Sequence, residues 1–195
     1  MKKKRVGVRL FKAFVLCILL LGIVGVAAGG VFVKHVIDNT PEVTAKDILP
    51  QGYTTSIVDQ NGTVLEQLKD SDSNRVYKKY DEISKYMGDA FVAIEDERFY
   101  KHNGIDLQGI IRAGVVGVTH GFHFTEGAST LTQQLIKNNV FPNFVNETNS
   151  ERFERKIQEQ YLALKIEKQM SKKEILEAYM NTINLGQGCL GLQTT

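Results

Sequence analysis

Three consecutive acids, Glu95, Asp96 and Glu97, stand in the stretch IEDERFYKHNG (94–104), followed by Arg98, two aromatics and His102. A carboxylate beside a sugar or phosphate substrate can act as a general base, and the question is which of the three, if any, is placed to do so. Read as a helix from about Ile83 to His102 ending at Asn103-Gly104, the segment puts Met87, Phe91 and Ile94 on one stripe, with Glu95 and His102 at its edge. On that reading Glu95 lies against apolar side chains while Asp96 and Glu97 point elsewhere. A carboxylate in such a position is paired or used. Arg98, three residues on, offers the plainer account, a local ion pair with Glu95.

A second acid, Glu159, lies in ERFERKIQEQYLALKIEKQM (151–170), with Arg155 and Lys156 four and three residues before it. Phe153, Ile157, Tyr161 and Leu164 form one stripe of that helix; Ala163, Ile166 and Met170 form another, which Arg155 and Glu159 extend. A helix apolar on two sides is a buried one, so Glu159 enters or borders the core, either as a functional group or as half of a salt bridge with Arg155. Between the two acids, GASTLTQQLIKN (127–138) offers Ser129 or Thr130 as an N-cap and then Gln133, Gln134 and Lys137 within one turn of each other. Those groups suit sugar hydroxyls and phosphates, and equally a solvated face. His120 and His123 read as loop histidines without a metal role, and Cys17 and Cys189 support neither a disulfide framework nor a metal site.

The elements that must position these residues follow from composition and pattern. The chain of 195 residues is 43% hydrophobic and 24% charged, enough for one domain with a core. Residues 1–12 carry six of its 24 bases; without them 18 bases face 22 acids, a balance that argues against generic nucleic-acid binding. Residues 13–33 hold no charge and, at about 1.5 Å per residue, span the roughly 30 Å of a bilayer's hydrocarbon core. The basic cluster before them predicts a cytoplasmic N-terminus and an extracytoplasmic remainder. Residues 34–52 read as a stalk. YTTSIVDQNGTVLEQL (53–68) alternates β-formers around Asn61-Gly62, a hairpin signal. SKKEILEAYMN (171–181) opens with a Ser171–Glu174 capping box. GQGCLG (186–191) has the form GxGxxG but follows a helix, which excludes a dinucleotide site and leaves a glycine-permitted turn.

Together these segments resemble the peptidoglycan glycosyltransferase domain of the class A penicillin-binding proteins and their monofunctional relatives, glycosyltransferase family 51. EDERFYKHNG matches the family's EDxxFxxHxG, GASTLTQQ its GGSTxTQQ, RKIQE its RKxxE and KKEILEAYMN its KxxILExYLN, with the glycine loop at 186–191 last. The one substitution within these signatures that departs in kind is Ala128, where the family has a second glycine. The resemblance covers residues 53–195 and implies a mainly α, lysozyme-like two-lobed fold with a short N-terminal β-hairpin, preceded by one transmembrane helix. It also implies a domain incomplete at its C-terminus.

The implied activity is polymerisation of lipid II into β-1,4-linked glycan, with inversion and release of undecaprenyl pyrophosphate. Glu95 is then the general base toward the acceptor 4-hydroxyl, supported by Asp96, and Glu159 assists at the leaving pyrophosphate, directly or through Mg2+ or another divalent cation. Lys137, Arg155 and Lys156 bind phosphates, with Arg112 and Arg152 as further candidates; Ser129, Thr130, Gln133 and Gln134 position sugar and phosphate groups; His102 is structural. The implied partners are lipid II, the lipid-linked glycan, the membrane and other cell-wall synthesis proteins. Phe122, Phe124, Phe141 and Phe144, in expected loops, are the residues that would rest on the membrane. Two other classes fit the same residues: a lysozyme-like hydrolase or lytic transglycosylase, and an inactive membrane-anchored glycan-binding fragment.

Overall fold

The computed structural model describes residues 2–68, 75–121, 127–141, 144–186 and 190–192, with side chains from residue 11 onward. The chain is mainly helical and divides into two compact units, residues 1–41 and 42–195. The first is one helix, α1 (Lys2–Asp38). Within it Phe11–Asp38, at a mean hydropathy of 2.7, is long and apolar enough to cross a membrane.

The second unit begins with a two-stranded antiparallel hairpin, β1 (Thr55–Val58) and β2 (Val64–Leu68). Its loop is built by Asp59, whose carboxylate accepts from the amides of Asn61 and Thr63 at 2.8 Å each, and by Gly62 at φ +84°. The expected hairpin is therefore present, with Asn61-Gly62 inside a loop that Asp59 closes. Five helices follow: α2 (Lys85–Glu95), α3 (Leu107–Thr119), α4 (Leu131–Val140), α5 (Asn149–Ile166) and α6 (Lys172–Thr182).

The centre of the unit is α4, which packs against both α5 and α6. Leu131, Leu135 and Ile136 of α4 are wholly buried, facing Leu162, Ala163 and Ile166 of α5 and Ile175, Leu176, Tyr179 and Met180 of α6. Each of these three helices starts with a capping box: Thr130 with Gln133, Thr148 with Glu151, Ser171 with Glu174. In each, the hydroxyl accepts from the third amide of the helix and the longer side chain accepts from the cap's own amide, which fixes where the helix begins.

Four expectations are corrected. First, α2 stops at Glu95; Asp96 leaves the helix at φ −159°, and only a short 3-10 turn, Phe99–Lys101, follows before Gly104. Glu97 and Arg98 have good helix propensity, but the hydrogen bonds described below draw the segment elsewhere, and tertiary contacts outweigh propensity. Second, only one of the two stripes of α5 is buried. Phe153 and Leu164 are exposed, whereas Arg155, Glu159, Leu162, Ala163 and Ile166 face inward. Third, Val118 and Thr119, the start of the glycine-containing stretch 118–126 that reads as a loop, belong to the last turn of α3, while Phe122, His123 and Phe124 lie outside the described residues. Fourth, the segment expected as a stalk contributes to the core, since Val43 and Ile48 are buried in the main cluster. Truncating Ile48 to alanine is accordingly expected to cost about 2–5 kcal/mol in denaturant unfolding, the range for a buried aliphatic side chain, whereas an exposed stalk residue would cost about 0.5 kcal/mol or less.

Candidate active site

The buried acid of the EDE triplet is Asp96, and Glu95 is exposed at the end of α2. This reverses the expected arrangement, because the helical spacing used to place Asp96 away from the core does not continue past Glu95. Both Asp96 oxygens lie 3.0 Å from His102 Nε2, and Oδ2 also accepts from the Leu131 amide at 3.0 Å. His102 Nδ1 accepts from the Gly104 amide at 3.1 Å, so the ring carries its proton on Nε2 and donates it to Asp96. Thr130 Oγ1 and Gln133 Nε2 both reach the Gly104 carbonyl, at 2.8 and 3.3 Å. A side chain at Gly104 is excluded twice over, by φ +96° and by the Ala163 carbonyl 2.7 Å from where a Cβ would stand. His102 thus has the structural place expected of it.

Arg98 does not pair with Glu95. Its guanidinium forks onto Asp106, with Nε to Oδ2 at 3.0 Å and Nη2 to Oδ2 at 2.6 Å, and also reaches Glu97. That fork holds the Asp106 carboxyl below its ordinary range. Freed of Arg98, Glu95 takes one hydrogen bond among the described residues, from Gln134 Nε2 to Oε2 at 2.9 Å. Gln134 Oε1 in turn accepts from the Tyr179 hydroxyl at 3.2 Å. Burial, and then the charge of Glu95, push the Tyr179 phenol well above its ordinary value.

Glu95 lines two clefts. One, of about 170 Å³, is polar and runs past Asp96, Arg98, Arg112, Ser129 and Thr130. The other, of about 450 Å³, is lined by Arg75, Gln134, Lys137, Asn138, Phe144 and Tyr179. Arg75, Asn138 and Tyr179 were not among the residues picked from sequence. Arg75 Nε is buried with no hydrogen-bond partner among the described residues. Its only sequence signal is a lone arginine after a polar loop, which carries no spacing.

The cationic groups gather around the second acid. Glu159 is wholly buried; Oε1 accepts from Arg155 Nη1, and Oε2 accepts from Lys156 Nζ at 2.7 Å. Arg155 also binds Glu147, which, ahead of Glu159, holds the guanidinium in its charged form. Lys156 reaches on to Ser129 Oγ at 3.1 Å, which ties this cluster to the wall of the first cleft. Lys137 makes no ion pair among the described residues. Its Nζ sits 4.7 Å from the centre of the Phe144 ring, which also lies under Arg155 at 5.7 Å. Desolvation, followed by the charge of Lys156, lowers the Lys137 pKa. Phe144 is half-buried beneath these cations, and Phe141 packs against the core, so neither is the exposed loop aromatic expected.

The structure therefore brings Glu95, Gln134, Lys137, Ser129, Lys156, Arg155 and Glu159 into one linked region. Thr130 and Gln133 are buried and engaged with Gly104 and with each other; Arg152 is exposed and pairs with Glu147. Arg112, half-exposed on α3, stands 3.8 Å from Glu97 across the first cleft. No group of three or more His, Cys, Asp or Glu side chains among the described residues could hold a metal ion, and both Glu159 oxygens already accept from cations. These residues do not fit a divalent cation as they stand.

The Transglycosylase family model matches residues 61–195, and the chain belongs to that family. Penicillin-binding protein 1A of Clostridium perfringens strain 13 is 41% identical over 181 residues, which are 91% of this chain and 26% of that protein. Penicillin-binding protein 1A of Clostridium novyi is 41% identical over 160 residues, 80% of this chain and 18% of that protein. Penicillin-binding protein 1A/1B of Bacillus subtilis is 35% identical over 190 residues, 97% of this chain and 20% of that protein. The chain thus spans about a quarter or less of the length of these relatives. Replacing Asp96 by asparagine, which turns an amide donor toward at least one of its two donors, is expected to lower stability by about 1–3 kcal/mol, read as a fall in the thermal unfolding midpoint.

Proposed function

We propose that residues 42–195 polymerise lipid II: Glu95 takes the proton from the 4-hydroxyl of one lipid-linked sugar as that oxygen attacks the anomeric carbon of another. The bond to the donor's pyrophosphate breaks as the glycosidic bond forms, with inversion, and undecaprenyl pyrophosphate leaves. The observation that carries this reading is the position of Glu95, exposed between two clefts with one oxygen held by Gln134 and the other without a hydrogen bond among the described residues. A carboxylate suits the role of base, and the reaction needs no strong acid, since pyrophosphate is already a good leaving group.

What the leaving group does need is neutralisation, and Lys137, Arg155 and Lys156 are the cations beside the clefts. Lys137 is the most available of the three. Arg155 and Lys156 also satisfy the buried Glu159, whose part is to hold them in place. Ser129, at the end of the Lys156 ammonium, orients phosphate or sugar oxygens. A hydrolase would have no use for this concentration of positive charge. In polymerisation of lipid II in detergent, run on this chain and on a version extended beyond Thr195, Glu95→Gln is expected to lower the rate by about 10²-fold or more. Glycan shortened from added polymer, with no polymer made from lipid II, would instead identify a hydrolase.

The same reading places the chain at a membrane, with α1 as a single-pass anchor, its basic end cytoplasmic and the catalytic unit on the outer side. On α3 the side chains of Leu107, Ile111, Val115 and Val118, at helical spacing, are each more than half exposed. Such a stripe on a charged domain suits contact with acyl chains. For a version beginning at Glu42, Ile111→Asp together with Val115→Asp is expected to reduce sedimentation with liposomes several-fold; unchanged partitioning would remove α3 from the membrane contact.

A further inference from the structure

Three elements meet in the chain of hydrogen bonds from Tyr179 on α6, through Gln134 on α4, to Glu95 at the end of α2. An ionised carboxylate only accepts hydrogen bonds, so the Gln134 amide must turn its NH2 toward Glu95. Its carbonyl then faces the Tyr179 hydroxyl, which donates to it at 3.2 Å. The polarity of the whole chain is set in one direction. The Tyr179 ring has no freedom to leave: it is 1% exposed and meets Phe91 edge-on, with ring centres 5.7 Å apart. A buried phenol needs a partner for its hydroxyl, and among the described residues Gln134 is the one it has.

We propose that Tyr179 is a positioning residue for the glycosyl transfer: it locks the orientation of the Gln134 amide, which holds Glu95 by one oxygen and leaves the other for the acceptor's proton. This rests on the reading of Glu95 as the base. Without the hydroxyl the amide can rotate and present its oxygen to the carboxylate, exchanging a donor for a repulsive contact. The other charged groups facing Glu95 are Arg75 and Lys137 in one cleft and Asp96, Glu97, Arg98, Asp106 and Arg112 in the other. The substitution Tyr179→Phe leaves all of them unchanged and conserves the volume of the core.

The test uses the full chain in detergent with lipid II. Tyr179→Phe is expected to lower kcat by roughly 3- to 10-fold, the worth of one hydrogen bond, with KM little changed. It should also move the acid limb of the pH–rate profile to higher pH, because the base loses a donor to its charged form. In a Gln134→Ala background the same substitution should have no further effect, since the coupling passes through the amide. A slower enzyme with an unmoved acid limb, or losses that multiply in the double variant, would overturn the proposal and leave Tyr179 a packing residue. Carboxyl titration of Glu95 by 13C NMR, assigned with Glu95→Gln, reads the same link without turnover. If the titration midpoint rises in Tyr179→Phe while Glu95→Gln still polymerises, the positioning stands and the base assignment falls. If Glu95→Gln is inactive and the midpoint does not move, the base assignment stands and the positioning falls.

Discussion

The site depends on a buried carboxylate whose oxygens are taken up by the fold itself. Asp96 accepts from the first amide of α4 and from His102, so the end of α2, the 96–104 turn and the start of α4 are joined at one point. A buried acceptor and its donors hold together firmly because either partner alone would be costly to leave unpaired. That junction ends α2 at Glu95, well before the expected end at His102, and delivers Glu95 to the rim rather than the interior. Thr130 and Gln133 reinforce it by binding the Gly104 carbonyl, and Gly104 has no room for a side chain against Ala163. Five residues of the family's signatures, Asp96, His102, Gly104, Thr130 and Gln133, are therefore bonded to one another or to the backbone beside an exposed neighbour, Glu95.

Electrostatic design in the second half of the site follows a related logic. Glu159 lies wholly inside, yet its oxygens face Arg155 and Lys156, and Arg155 is further tied to Glu147. A buried ion pair of this kind contributes little net stability, but it fixes two long cationic side chains that would otherwise wander. Lys137 is handled differently, over the face of Phe144 with no ion pair among the described residues. It is held, and its charge is left for something else.

Element types and order were legible from sequence: an apolar helix, a hairpin at Asn61-Gly62, then helices with their motifs. The Ser171–Glu174 box was read directly, and the same signature stands at Thr148–Glu151 and Thr130–Gln133, where it set the true starts of α5 and α4. What periodicity misjudged was the EDER stretch, because the forces that end α2 come from residues 35 positions away in the chain. Burial of Ile48 was equally invisible: a short segment between two prolines carries no period. The cationic character of the site was readable from Lys137, Arg155 and Lys156, whereas Glu147, Arg75 and Tyr179 acquire their places only through packing. The helical-wheel argument for Glu95 as a half-buried group was mistaken, since Glu95 is exposed.

The start of α4 has one more implication. A helix N-terminus is a common place for proteins to hold phosphate, through free amides and the helix dipole. Here the amides of Thr130, Leu131 and Gln133 are engaged by Gln133, Asp96 and Thr130 respectively. The fold has closed its rigid anion cradle, so in the proposed reaction negative charge falls to the cationic side chains. Among these Lys137 has a long stem and no ion pair among the described residues, so its ammonium could follow a diphosphate from one position to the next. A backbone cradle would instead have to release its ligand before gripping it again.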